Sequence, residues 1–227
     1  MRVLRKINSG EGSDVFESSP RREGIDLKHW KGRLNTIDMT MSGHSYGATL
    51  ALQVLKGGPS EKLPFKGAII LDPGKSSGPL NEDVRVPLLI LHSNSWSKTH
   101  SIFYGRPHFE VVRDIVQNTL KRGHDAWFMT SLGTSHPSVT DAPLIEPLLL
   151  SWTTWSTIDV REGVYQSVKV SDEFMRYQST GKKTGLLEMP VTHPRYDDDR
   201  RSDKLKNTMP EEYRKYWQIH VAPEQAF

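Results

Sequence analysis

The chain has 227 residues, 36% of them hydrophobic and 25% charged, with a formal net charge of +3, which suits one globular domain with a real core. The mild positive charge permits contact with an anionic surface, but no basic helix with interleaved aromatics argues for nucleic acid. The absence of cysteine excludes disulfides, zinc–thiolate sites and a cysteine nucleophile, and no apolar run approaches the roughly 20 residues that span a bilayer.

In chain order, Val3, Leu4 and Ile7 mark the end of a helix, followed by the polar stretch SGEGSDVFESSPRREG and the short segment LKHWKGRL. Ile37, Met39 and Met41 alternate with polar residues as in a short strand. Ala48, Leu50, Ala51, Leu52, Val54 and Leu55 then predict a helix buried against a sheet, stopped by Gly57-Gly58-Pro59. FKGAIILDPG and VRVPLLILHSNSW are continuous apolar runs bounded by turn residues, the pattern of buried parallel strands. Val111, Val112, Ile115, Val116 and Leu120 keep a helical period. DAWFMTSLGTSH reads as a further strand, and APLIEPLLLSWTTW as an apolar helix. This order predicts an α/β domain over residues 1–177. Within it, 65–71, 87–92 and 126–131 are expected as parallel neighbours, with the strand before Ser45 central. From residue 178 the chain reads as an exposed polar tail with one short helix near 211–217.

The chemistry gathers at Gly43-His44-Ser45-Tyr46-Gly47. Two glycines flanking a serine between a strand and a helix form the nucleophile elbow, a tight turn that lifts the hydroxyl out for attack. A side chain at position 43 or 47 is expected to collide where strand and helix nearly touch. The alternative is a glycine-rich turn carrying an idle serine.

A serine hydroxyl needs a histidine to take its proton, and the histidine needs an acid to fix its tautomer. Nine histidines compete. The order serine, acid, histidine along the chain selects His136, just past the last strand, and leaves His92 as a structural or pocket residue. Asp72 is the best acid, because a carboxylate ending an apolar strand needs a partner; Asp141 more simply caps the following helix. Ser45, Asp72 and His136 are therefore the expected catalytic residues. The Tyr46 backbone N–H is the expected oxyanion-hole donor, and no metal or cofactor is called for. Asp197-Asp198-Asp199 lacks the alternation of a calcium loop, and Trp152 and Trp155 read as core rather than lipid pocket.

These motifs, GHSYGAT, LDP after the next strand and SHPSVTD after the last, resemble the platelet-activating factor acetylhydrolases, particularly their fungal members. The likeness runs from about residue 34 to 155, with a looser one in MPEEYRKYW. It implies that the residues matching Ser45, Asp72 and His136 serve as nucleophile, acid and base. It also implies a phospholipid substrate, with short or oxidised acyl chains removed from the second glycerol position without a metal. Gly74 departs from the pattern, where a large aromatic is expected.

The resemblance places the nucleophile strand about fifth of eight, yet only 44 residues precede Ser45, and one βαβ unit takes about 30. The expectation is thus the C-terminal part of an α/β-hydrolase fold with its first strands missing, from a truncated product or an incomplete gene model. The N-terminus, MRVLRKINSGEGSD, lacks the apolar stretch of a signal peptide, which favours the cytoplasm only if Met1 is the true start. One oxyanion donor instead of two predicts weak activity for this chain alone. Three readings stay open: a phospholipid-directed serine esterase, a non-catalytic remnant or interaction partner, and a general carboxylesterase.

Overall fold

A computed structural model describes residues 2–10, 27–60, 63–74, 80–97, 108–140, 145, 156–195 and 208–223. The chain forms two compact units, residues 1–39 with 59–66, and residues 40–58 with 67–227.

The first unit contains α1 (Arg2–Ser9) and a 3₁₀ turn at Leu27–Trp30. The Asn8 side chain accepts the Leu34 N–H at 3.1 Å, and its carbonyl accepts the Gly32 N–H at 2.9 Å. Gly10 and Gly32, both at positive φ, supply the turns.

The second unit is built on a sheet in the order β1-β2-β3-β4-β5. Its strands are β1 (Met39–His44), β2 (Phe65–Leu71), β3 (Leu88–Ser93), β4 (Ala126–Ser131) and β5 (Trp217–Val221). β2 and β3 are parallel, with Ile70 opposite Ile90, and β3 and β4 are parallel, with Leu91 opposite Met129. Strands with nearly every residue buried form only where both faces are covered, and every residue of β3 and β4 is buried. β5 returns antiparallel on β4, with a bulge at Phe128/Met129.

The pleat sends alternate residues to opposite faces. One face carries Ile69, Leu89, Leu91, Trp127, Met129, Trp217 and Ile219, which pack with Val170 and Phe174 of helix α5 (Val160–Thr180). The other face includes Phe128, whose ring lies 5.0 Å from that of Phe109 on α4 (His108–Lys121). Between β1 and β2 runs α2 (Tyr46–Val54), whose Ala48, Ala51 and Leu52 are buried. A short α3 (Asn94–Ser97) leaves the end of β3, and α6 (Glu211–Arg214) precedes β5.

Two expectations need correction. The strand before Ser45 is not central: β1 ends the strand order, because among the described residues no strand pairs with its other side. Nor is the chain after residue 178 an exposed tail. α5 runs through that boundary to Thr180, and Leu186, Leu187, Met209, Trp217, Ile219 and Val221 are buried. The apolar residues 217, 219 and 221 supply the alternating face that a fifth strand requires. The short helix expected at 211–217 is present only as Glu211–Arg214, and Trp217 begins β5 instead.

Apart from Ile145, the expected helix at 142–155, with Trp152 and Trp155, lies outside the described residues, as do Asp141 and the 197–199 acidic run. No helix among the described residues is long and apolar enough to cross a membrane.

Candidate active site

Ser45 sits between β1 and α2 at φ 57°, ψ −122°, a conformation that side chains rarely adopt. The strain is held from several sides. Ser45 N–H donates to the Leu71 carbonyl at 3.0 Å, and its carbonyl accepts from Gly74 N–H at 3.1 Å. Gly43 is required here, since a Cβ at that position would lie 2.3 Å from the Gly47 carbonyl oxygen. Gly47 differs from expectation: a Cβ there meets nothing within 4 Å. The close approach runs from the Gly43 side chain position to the Gly47 backbone, so only one of the two glycines is sterically demanded.

Asp72 ends β2, also at positive φ (44°), and is 2% exposed. Its backbone N–H donates to Leu91 at the end of β3. One carboxylate oxygen accepts the Ser93 N–H at 2.7 Å; the other accepts the Ser93 hydroxyl at 2.6 Å. A buried carboxylate that is fully hydrogen-bonded is tolerated where an unpaired one is not.

His136 opens the 3₁₀ turn His136–Val139 after β4, behind a capping box between Ser135 and Ser138. Its Nδ1 lies 3.0 Å from the Asp72 Oδ2, and its Nε2 lies 2.9 Å from the Ser45 Oγ. A carboxylate can only accept, so Nδ1 donates to Asp72 and Nε2 is left to accept the Ser45 hydroxyl proton. The structure thus brings the three residues singled out in the sequence into one hydrogen-bonded row.

Three other histidines lie elsewhere in the fold, and a fourth stands beside the row. His92 is buried, with Nδ1 3.2 Å from the Ser97 hydroxyl. His193 and His220 are buried too, and the His220 ring contacts Phe109 and Phe128. His44 is half-buried beside the row. Its Nε2 lies 3.0 Å from the His136 carbonyl oxygen, and the two rings are 4.5 Å apart. Burial first, then the charge of His136, holds the His44 imidazole below its ordinary pKa, partly offset by Asp72.

Residues 93–97 are the part that sequence reasoning missed. The end of β3 carries no carboxylate, so nothing there reads as a catalytic acid. Its hydroxyls and indole instead brace the site. Ser93 holds Asp72, the Ser95 hydroxyl accepts the His136 N–H at 3.2 Å, and the Trp96 ring stacks on the His136 ring. The available signal was the cluster Ser93-Asn94-Ser95-Trp96 directly after a strand end.

Among the described residues, His44, Asp72 and His136 also form a group that could hold a cation, with ligand atoms all within 4.8 Å of one another. A metal there would have to replace the Asp72–His136 hydrogen bond, since both partner atoms are already engaged. The arrangement as it stands suits proton transfer.

A family model described as platelet-activating factor acetylhydrolase, isoform II, matches residues 1–184. No match was found among curated proteins. Among solved structures, the chain is similar to a ferulic acid esterase from Streptomyces cinnamoneus. The identity is 16% and the TM-score 0.51, over 83% of this chain and 52% of that one. The chain therefore spans about half the length of that structure. The likeness is one of fold, an α/β-hydrolase sheet carrying helices.

Proposed function

Since the chain belongs to the platelet-activating factor acetylhydrolase, isoform II, family, we propose that it is a serine esterase acting on glycerophospholipids. It removes short or oxidised acyl chains from the second glycerol position. The observation that carries this reading is the 2.9 Å contact between Ser45 Oγ and His136 Nε2, with Asp72 3.0 Å behind the ring. In that reading Ser45 attacks the ester carbonyl while His136 Nε2 takes its proton. The imidazolium is stabilised by Asp72 and returns the proton to the departing glycerol oxygen, leaving an acyl-serine. Water then repeats the sequence and releases the acid. The Tyr46 N–H, at the first residue of α2, is the oxyanion donor, where the helix dipole favours negative charge.

The test is hydrolysis of phosphatidylcholines that differ only in the second acyl chain, with and without a chelator, alongside simple nitrophenyl esters. The 2-acetyl substrate should be cleaved at least about tenfold faster than a long-chain one, unaffected by chelation. Equal rates on all phospholipids, or cleavage of simple esters alone, would remove the phospholipid assignment. Ser45→Ala should lose activity by about 10⁴-fold or more.

A further inference from the structure

We propose that Trp96 is a positioning residue that holds the His136 imidazole in plane during release of the acyl group, a step that rests on the serine-esterase reading. The two ring centroids are 3.9 Å apart and the planes differ by 11°. This is a stack, not a chance edge contact. Trp96 is 6% exposed, and its indole N–H donates to the Pro73 carbonyl at 2.9 Å. Pro73 directly follows Asp72, so the platform under the base is tied to the backbone that carries the acid.

The platform is itself anchored at both ends. Before it, Ser93 donates twice to Asp72, and Ser95 accepts the His136 N–H. After it, the Ser97 hydroxyl lies 2.5 Å from that of Thr130 on β4, which lies 2.7 Å from His220 Nε2 on β5. His136, by contrast, stands on a loop turn and keeps 26% of its side chain exposed.

The consequence differs between the two halves of the reaction. While Ser45 is free, two in-plane contacts, to Ser45 and to Asp72, orient the imidazole. Once Ser45 Oγ is esterified it has no proton to donate. The ring then keeps one in-plane tether, on Asp72, and can swing about it. The stack on Trp96 opposes that swing. Deacylation requires Nε2 to take a proton from water as the water oxygen bonds to the acyl carbon. The bond to Ser45 Oγ then breaks, and Oγ receives the proton back from His136, giving the free acid and the starting enzyme. A misplaced ring slows this step more than the first, because orientation is a large part of catalysis.

The experiment uses p-nitrophenyl acetate with wild type, Trp96→Phe and Trp96→Leu, each counted for intact sites by fluorophosphonate titration. In Trp96→Leu, nitrophenolate should appear as a burst close to one equivalent per titrated site. kcat and KM should fall together by about tenfold, leaving kcat/KM within about threefold of wild type. Trp96→Phe, which keeps an aromatic face, should recover most of kcat. The His136 ring protons, shifted upfield by the indole in wild-type NMR spectra, should move downfield in Trp96→Leu. An unchanged kcat, a loss confined to kcat/KM without a burst, or Phe behaving like Leu would overturn the proposal. A wild type with neither turnover nor titratable serine would instead overturn the esterase reading beneath it.

Discussion

Side-chain spacing alone identifies Ser45, Asp72 and His136 as three residues that an α/β sheet brings to one end of its strands. The structure has them within hydrogen-bond reach of one another. That much was legible because a glycine-flanked serine, a carboxylate ending an apolar strand and a histidine after the last strand are each local signals. What holds them was not legible, because a serine or tryptophan after a strand reads as ordinary turn chemistry. The two elbow glycines show the same limit: they look equivalent in sequence, yet only Gly43 is pressed against backbone. Gly43→Ala should therefore cost about 3 kcal/mol or prevent folding, since the facing atoms are backbone and cannot rotate away. Gly47→Ala, at an unobstructed helical position, should be neutral or raise stability by up to about 1 kcal/mol. Urea midpoints of the two variants check this, and similar losses in both would refute the asymmetry.

At the level of elements, β2, β3, β4, α2 and α4 were legible from apolar runs and helical periods. α5 was not, for a physical reason. Its buried face carries Gly163, Gln166, Ser167, Val170 and Phe174, whereas Tyr165, Val168 and Met175 are exposed. Small and polar residues share the buried face with Val170 and Phe174, while three large apolar residues face outward, so the usual stripe is blurred. Its ends are better marked: Asp159 caps the N-terminus by accepting from the Arg161 and Glu162 N–H groups, and Gly181 ends it at φ 70°. Asp159→Ala should cost about 1 kcal/mol. β5, by contrast, carried a readable signal in Trp217, Ile219 and Val221, obscured by its charged neighbours. Trp217 is 1% exposed and its indole N–H donates to Gln166 on α5. Trp217→Ala should destabilise by about 3–5 kcal/mol, several times the loss from the cap. Thermal unfolding of both variants gives the comparison, and a small effect at Trp217 would mean that β5 is not integral to the core.

For the molecule as a whole, strand order is not encoded in any one segment, which is why β1 was expected at the centre and lies at the end of the order. The pH dependence of stability is likewise a global property set by buried histidines. His220 is lowered to about 3, first by burial, and His44 is lowered as well, by burial and then by the charge of His136. Below the ordinary histidine value of about 6.5 the unfolded chain takes up a proton that the native His220 refuses. The unfolded state then binds more protons, so stability is fully present above about pH 6.5 and is lost as pH falls. His220 alone contributes a slope of about 1.4 kcal/mol per pH unit. Urea midpoints between pH 7 and 5 should show it, and His220→Gln should flatten it; an unchanged slope in the variant would place the titrating group elsewhere. The central claim is that Ser45 is a nucleophile activated by His136, and covalent labelling tests it most directly. The chain is treated with a fluorophosphonate, digested and mapped by mass spectrometry. The account predicts one adduct, on Ser45, absent in Ser45→Ala and slowed at least about 10³-fold in His136→Ala. An unmodified Ser45, or labelling at the same rate without His136, would contradict it.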